Sequence, residues 1–456
     1  MHFLKPLKWL VLLVYVLSGP CAWAQESPRY LPNDFLVLKN KAGDTVAPID
    51  LAYLEFLGVP EAWHETTGHR QVIIGLSDGA IDTTLLDFSG KTKILQKAPL
   101  ASGHGLSVGS IAAAQGDNNF GIPGVCYDCS LLTTVFGNPN MEMLLELGLN
   151  GAKVINASWV TSQKTARAQE VIDTLMAMGT IVVAGAGNQS WKKNKGQKYY
   201  YPASLDKVIS VSSVMFLHQN PLEGLDYEAD GRPFVENVMG FVGRTAGFDG
   251  YDTSRPLRIY PESVATLNTE VDLLAPTVGL FRYNKWILED EVVMGTYQGT
   301  SSATPLVSGT IGLMNALCPC LPAQEIESIL KITALNIDHI EANKPYYGHY
   351  GAGILQTGKA VSLVKNLYDI HAEVSLSEQQ FDRWDFLLTS YAQSVRLSHL
   401  RFSGSSALDL TSRTAIVLGP GTHFQPEVQS KGIHLKIDEG QWPPCALRTK
   451  NHDADR

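Results

Sequence analysis

No stretch of this sequence is apolar for long enough to cross a bilayer as a helix; Trp9–Leu17 ("WLVLLVYVL") comes nearest and is far too short. There is no block of Lys or Arg. Acidic residues outnumber basic ones, 45 against 36, for a formal net charge of −9. That balance argues against a nucleic-acid partner. Cysteine is scarce, six in 456 residues, so a small fold stapled by disulfides is excluded. The sequence shows no convincing internal repeat and no long low-complexity tract. What is present is an ordinary globular balance of 45% hydrophobic and 18% charged residues. The length suits two to three domains, or one large α/β domain with a small partner.

The N-terminus reads as an export signal. Lys5 and Lys8 precede the apolar core, and "AWA" (Ala22–Ala24) is a small-x-small cleavage site. Residues 1–24 are therefore expected to be a signal peptide, with the mature protein starting near Gln25 and working in the periplasm or outside the cell. Pro20 before Cys21 fits a lipid anchor poorly. Export makes disulfides plausible among the remaining cysteines, Cys126, Cys129, Cys318, Cys320 and Cys445. A local Cys126–Cys129 bridge is expected, and Cys318 or Cys320 is expected to pair with Cys445. One thiol then stays unpaired or bonds another chain. The gap between the two cysteine pairs (318 − 129 = 189) and the absence of a His pair at ligand spacing argue against zinc.

Residues 25–47 are polar and irregular. From Pro48 the pattern changes. "RQVIIGLSDGAID" reads as a buried strand ending at Asp78. "CSLLTTVFG", "AKVINASWV", "GTIVVAGAGNQ", "DKVISVSSV" and later "EVDLLAP" are further short apolar strands. Helical stretches lie between them, such as Leu106–Gly116 and Thr165–Gly179. Apolar strands alternating with helices imply a mainly parallel sheet covered on both faces. Sites on such sheets collect at the carboxyl ends of the strands, where Asp78, Asn156–Ser158 and Asn188 fall. Residues 215–262 are rich in Gly, Pro, Asp and Asn and read as a loop insertion. Ser302–Leu317 is apolar nearly all round and reads as a buried helix. "PAQEIESILKITALNI" starts with proline and continues as an amphipathic helix. The expected catalytic domain runs over residues 48–367. Residues 371–456 hold short alternating pieces and read as a small C-terminal β module.

Taken singly, Asp78 reads as a turn carboxylate, His104 and Ser301 as helix-start residues, and Asn188 as a turn former. Together they supply a set of complementary groups. A serine hydroxyl needs a base to take its proton, and histidine suits that. A carboxylate fixes the imidazole tautomer, and an Asn amide with a helix-start N–H faces a developing oxyanion.

The local contexts extend this to a resemblance. "DGAID" resembles the Asp motif of the subtilisin-like serine proteases (subtilases), and "GHGLSVGSIAA" with "NNFGIPGV" resembles their His motif. "VINASWV" is similar to their substrate strand, "VVAGAGNQ" to their oxyanion segment, and "GTSSATPLVSG" to their Ser motif. "YGAGILQTGKAV" is similar to their closing motif. The likeness runs from about Pro48 to Val364 in the family's order. It implies a three-layer α/β subtilisin-like fold. It implies Asp78 as orienting carboxylate, His104 as base and acid, Ser301 as nucleophile and Asn188 as oxyanion donor. Ser158, Trp159 and Val160 would lie along an extended polypeptide substrate. No cofactor is required by that chemistry. Calcium binding is common in the family, but no liganding loop can be picked out of this sequence.

Several positions depart from the family pattern: Ala80, Leu106, Ser107, Val160, Thr277, Ser302 and Leu306. None removes a catalytic group, and Val160 is expected to narrow or reshape the pocket. Many secreted members carry a folding prodomain; with only Gln25–Ala47 ahead of the domain, no full-sized one is expected. The expected function is an exported serine endopeptidase. A subtilase-fold binding protein that no longer cuts, and an acyl-transfer enzyme, are the alternatives.

Overall fold

The computed structural model describes residues 28–39, 44–97, 103–244, 252–255, 262–283, 294–297 and 299–450. The expected signal peptide, residues 1–24, lies outside the described residues. Seven strands form one parallel sheet. From edge to edge the order is Leu273–Pro276, Val208–Val214, Ile181–Gly185, Val154–Ala157, Ile73–Ser77, Ser130–Thr134 and Thr92–Ile94. The apolar runs are uninterrupted because both faces are buried. Along Ile181–Gly185, Ile181 and Val183 enter one core, while Val182 and Ala184 enter the other. Helices Glu142–Leu149 and Ala166–Ala177 cover the second face. Helices His104–Ala113 and Thr300–Leu317 cover the first. This is the three-layer α/β architecture the strand–helix alternation implies. Thr165 caps its helix as its polarity suggests, its Oγ1 accepting from Ala168 N at 3.1 Å. Every residue of Thr300–Leu317 is buried, which explains its lack of a polar face.

The C-terminal region is β-rich, as expected, but it is also repetitive. Its strands form two sheets, and the chain alternates between them. Glu373–Phe381 pairs in parallel with Ser394–Gly404, which pairs in turn with Ile416–Leu418 and His423–Pro426. Asp385–Ser390 pairs in parallel with Ala407–Ser412, and that strand with Ile433–Ile437. The result is a short β-solenoid in which each coil buries its apolar residues on the next. Phe381, Phe402 and Phe424 stack in register, with ring centroids 5.4 and 6.0 Å apart. Left-handed corners recur at Glu378, His399 and Gly421 (399 − 378 = 21; 421 − 399 = 22). The expectation of no internal repeat is therefore corrected. Two of the three corners carry no glycine. The step from Phe386 to Leu408 (22) lengthens to 25 from Leu408 to Ile433, which blurs the period.

Among the described residues, two disulfides are present. Cys126–Cys129 is the local one expected, and Cys445 pairs with Cys320. Cys318 is the buried thiol, and burial pushes it up to about 12. Among the described residues, no helix is long and apolar enough to cross a membrane.

Candidate active site

Asp78 follows the strand Ile73–Ser77 and is fully buried. Its Oδ1 accepts from Gly79 N at 2.5 Å and contacts His104 Nδ1 at 2.6 Å. A carboxylate on Nδ1 places the proton there, leaving the Nε2 lone pair for other work. Asp78 Oδ2 is buried and has no hydrogen-bond partner among the described residues. The buried carboxylate stabilises any positive charge that develops on the ring. His104 opens the helix His104–Ala113 directly after Gly103, whose φ of 47° turns the chain into the helix. The close approach of loop and helix needs Gly105, because a Cβ there would lie 2.0 Å from Gly79 O.

Ser301 is the second residue of the helix Thr300–Leu317, so its N–H has no acceptor within the helix. Pro305 lies four residues on and has no N–H to give to the Ser301 carbonyl. Ser158 Oγ donates to that carbonyl instead, at 3.1 Å, and Ser301 Oγ donates to Ser158 O at 3.2 Å. The pair locks the helix start to the segment following the strand Val154–Ala157. Among the described residues, the Ser301 hydroxyl therefore bonds Ser158 and not His104. Such contacts are often made only once substrate is present. Trp159 bridges the two halves of the site: its indole N–H donates to Ser77 Oγ at 3.2 Å, next to Asp78.

Asn188 follows the strand Ile181–Gly185. Its Oδ1 accepts from both Thr300 N (2.8 Å) and Thr300 Oγ1 (3.0 Å). With the carbonyl end held, the NH2 end is the part left to act as donor. Asn188 and Ser301 line one cleft of about 220 Å³, together with Ser158, Trp159, Val160 and Tyr200. Val160 is 43% exposed at this cleft. The structure thus gathers the sequence-derived residues into two linked groups, Asp78 with His104 and Asn188 with Ser301, Ser158, Trp159 and Val160. Sequence reasoning missed Thr300 as the residue that orients Asn188. Its signal was the Thr of "GTS". It also missed the role of Pro305.

The departures have structural uses. Ser107 Oγ donates to Tyr283 O at 2.7 Å and ties the His104 helix to the strand Leu280–Tyr283. Ser302 is buried in its helix, and Leu306 lies in the core.

Among the described residues, one group of three potential metal-ligating side chains was found: Cys318, Cys320 and Cys445. Two of these form a disulfide, and sulfur is a poor donor for calcium. The buried Asp87 has its oxygens engaged by Asn118 Nδ2 (2.7 Å) and Tyr283 OH (2.5 Å); burial pushes it up to about 8. These donor sets do not fit a calcium cage.

A parallel α/β sheet with Asp, His, Asn and Ser gathered at the carboxyl ends of its strands defines a subtilisin-like protein. The Subtilase family model matches residues 69–353, and the chain belongs to that family. It is 26% identical over 318 residues to fervidolysin of Fervidobacterium pennivorans, covering 62% of this chain and 40% of fervidolysin. It is 24% identical over 319 residues to the halolysin-like extracellular serine protease Nep of Natrialba magadii, covering 65% and 49% of the two chains. With subtilisin DY of Bacillus licheniformis the identity is 25% over 290 residues, covering 59% and 86%. The match therefore spans less than half of fervidolysin and of Nep. The crystal structure of fervidolysin superposes with a TM-score of 0.50 at 20% identity, over 73% of this chain and 50% of that one.

Proposed function

We propose that the protein is an exported serine endopeptidase that cuts peptide bonds through an acyl-enzyme. An extended polypeptide lies along Ser158, Trp159 and Val160. The Ser301 hydroxyl leaves the Ser158 carbonyl, gives its proton to His104 Nε2 and attacks the scissile carbonyl carbon. Asp78 holds the ring through Nδ1 and stabilises the imidazolium. The oxyanion is met by the Asn188 NH2 group and the Ser301 N–H. His104 then protonates the leaving amine, and water releases the acyl group by the same steps. No cofactor enters. The observation that carries this reading is the orientation of Asn188: Thr300 occupies its carbonyl, so its donor end is left to the cleft that Ser301 lines. Export is supported by the charged, apolar and small-residue order of residues 1–24.

Labelling with a fluorophosphonate tests the reading. The wild type should be labelled at Ser301 and should digest an unfolded polypeptide such as casein. A folded wild type that takes no label would overturn the reading and leave the alternative of a binding protein. Adding amine nucleophiles to the digest shows whether acyl groups pass to amines in preference to water.

Asn188 carries its own prediction. Asn188→Ala should lower kcat by roughly 10²- to 10³-fold with little change in KM. Steady-state kinetics on a peptide substrate reads both. An unchanged kcat would remove Asn188 from the oxyanion site.

A further inference from the structure

A second cavity lies away from Ser301. It is a cleft of about 1230 Å³ between the catalytic fold and the first coil of the solenoid. One wall is the strand Glu373–Phe381, which contributes every residue from Val374 to Gln380. The opposite wall is formed by the helices Val59–Glu65 and Thr357–Tyr368, and Ile332–Asn336 also lines the cleft.

Two properties of this cleft point to a ligand. The first is an open strand edge. Among the described residues, Glu373–Phe381 pairs on one side only, with Ser394–Gly404. The matching strand of the other sheet, Asp385–Ser390, is also at an edge, but a helix covers it: Leu387 N donates to Ser328 Oγ (2.9 Å) and Thr389 N to Glu325 Oε2 (3.1 Å). No helix side chain among the described residues bonds the main chain of Val374–Gln380 in this way. Among the described residues, none of its main-chain groups bonds across the cleft, and its one described link is the side-chain bond from Gln379 Nε2 to Ala334 O at 2.8 Å. A row of unpaired N–H and C=O groups in a cleft is a template for an added strand.

The second is the chemistry of the walls. Glu61, Glu65, Asp338 and Glu378 line the cleft against a single ammonium, Lys359. Glu65 is met by Lys365, and Glu378 faces His399. Asp338 accepts from Tyr350 OH and Asn336 Nδ2. Among the described residues, Glu61 has no such partner, and its Oε2 is buried without a hydrogen bond. Gln379 Oε1 on the other wall is buried and unpartnered as well. Both walls therefore present buried acceptors that lack donors.

We propose that this cleft binds an extended polypeptide segment carrying Lys or Arg, which adds as a strand beside Val374–Ser377, the straight run before the corner at Glu378, and sets a cationic side chain on Glu61. Main-chain pairing holds the segment, and the acidic wall selects its charge. The binding needs no catalysis and stands apart from the reading of Ser301.

The test uses the full chain with Ser301→Ala, so that the probe is not cut. A dye-labelled peptide alternating Lys and Val is titrated by fluorescence anisotropy beside its Glu-for-Lys counterpart. The cationic peptide should bind about tenfold or more tightly. Glu61→Gln should weaken it about tenfold. Ser362→Trp, at an exposed position lining the cleft, should abolish it. Both variants should keep the parent melting temperature; if one does not, the other decides. Amide exchange over Val374–Ser377 should slow when the peptide binds. Equal affinity for the two peptides, binding indifferent to both substitutions, unchanged exchange on binding, or no binding of the cationic peptide would each overturn the proposal.

Discussion

Ser301→Ala should lower kcat by about 10⁶-fold while the protein stays folded. The size follows from how the three groups act in the proposed mechanism. Without the hydroxyl, His104 has no proton to take, and Asp78 has no imidazolium to stabilise. The loss is therefore that of the whole unit, and adding His104→Ala to the serine variant should lower the rate little further. Oxyanion donors and substrate binding remain, so a small residual rate over water persists. Ser301 is buried within a tightly packed helix start, but alanine is smaller and fits. It deletes only the hydroxyl that bonds Ser158 O. Steady-state assays with purified variants read the ratio. A rate above about one hundredth of wild type would show that another group is the nucleophile.

The second large effect concerns stability. Lys331, on the helix Ala323–Thr333, is almost fully buried. Its Nζ lies 2.7 Å from Asp272 Oδ1, also contacts Glu327, and sits 4.8 Å from the centre of the Trp384 ring. Asp272 precedes the edge strand Leu273–Pro276, and its Oδ2 accepts from Ser210 N at 2.8 Å. Trp384 belongs to the first coil of the solenoid. One ammonium thus joins sheet, helix and solenoid. Burial pulls the Lys331 ammonium down, but the two carboxylates outweigh it and hold it above its ordinary value. Lys331→Met keeps the stem and removes the charge, leaving Asp272 buried without its cation. The expected loss is about 3–5 kcal/mol, read by urea unfolding. Asp272→Asn added to Lys331→Met should recover part of it, because the orphaned charge is gone. A loss below about 1 kcal/mol would mean that water or a neighbouring group already compensates Asp272.

Much of the catalytic fold was legible because burial on both faces writes itself into sequence. "GTIVVAGAGNQ" and "DKVISVSSV" are continuous apolar runs, and a strand between two helical layers has no use for anything else. The candidate site was legible for a different reason. Asp78, His104, Asn188 and Ser301 sit in short segments whose neighbours are fixed by close approach, as Gly105 shows against Gly79. What stayed hidden depends on contacts between distant segments. Nothing local says that Cys445 meets Cys320 and not Cys318, two residues away. The solenoid escaped because its coils keep only a few apolar positions in common, such as Phe381, Phe402 and Phe424. Its corners also tolerate Glu378 and His399 at positive φ. The cleft along Val374–Gln380 exists only once the solenoid is docked, and no periodicity in one strand announces an uncovered edge.

The bridge between Cys320 and Cys445 spans 125 positions, a stretch that contains every coil of the solenoid. With the proposed activity, copies of this chain are exposed to one another's cutting, and exposed turns are where such cutting starts. A single cut inside this stretch opens a ring and frees no fragment. The nicked coils stay bound covalently at Cys320, just beyond the helix whose other end carries Ser301, and have the chance to close again. Two cuts, or a reductant, are needed before anything is shed.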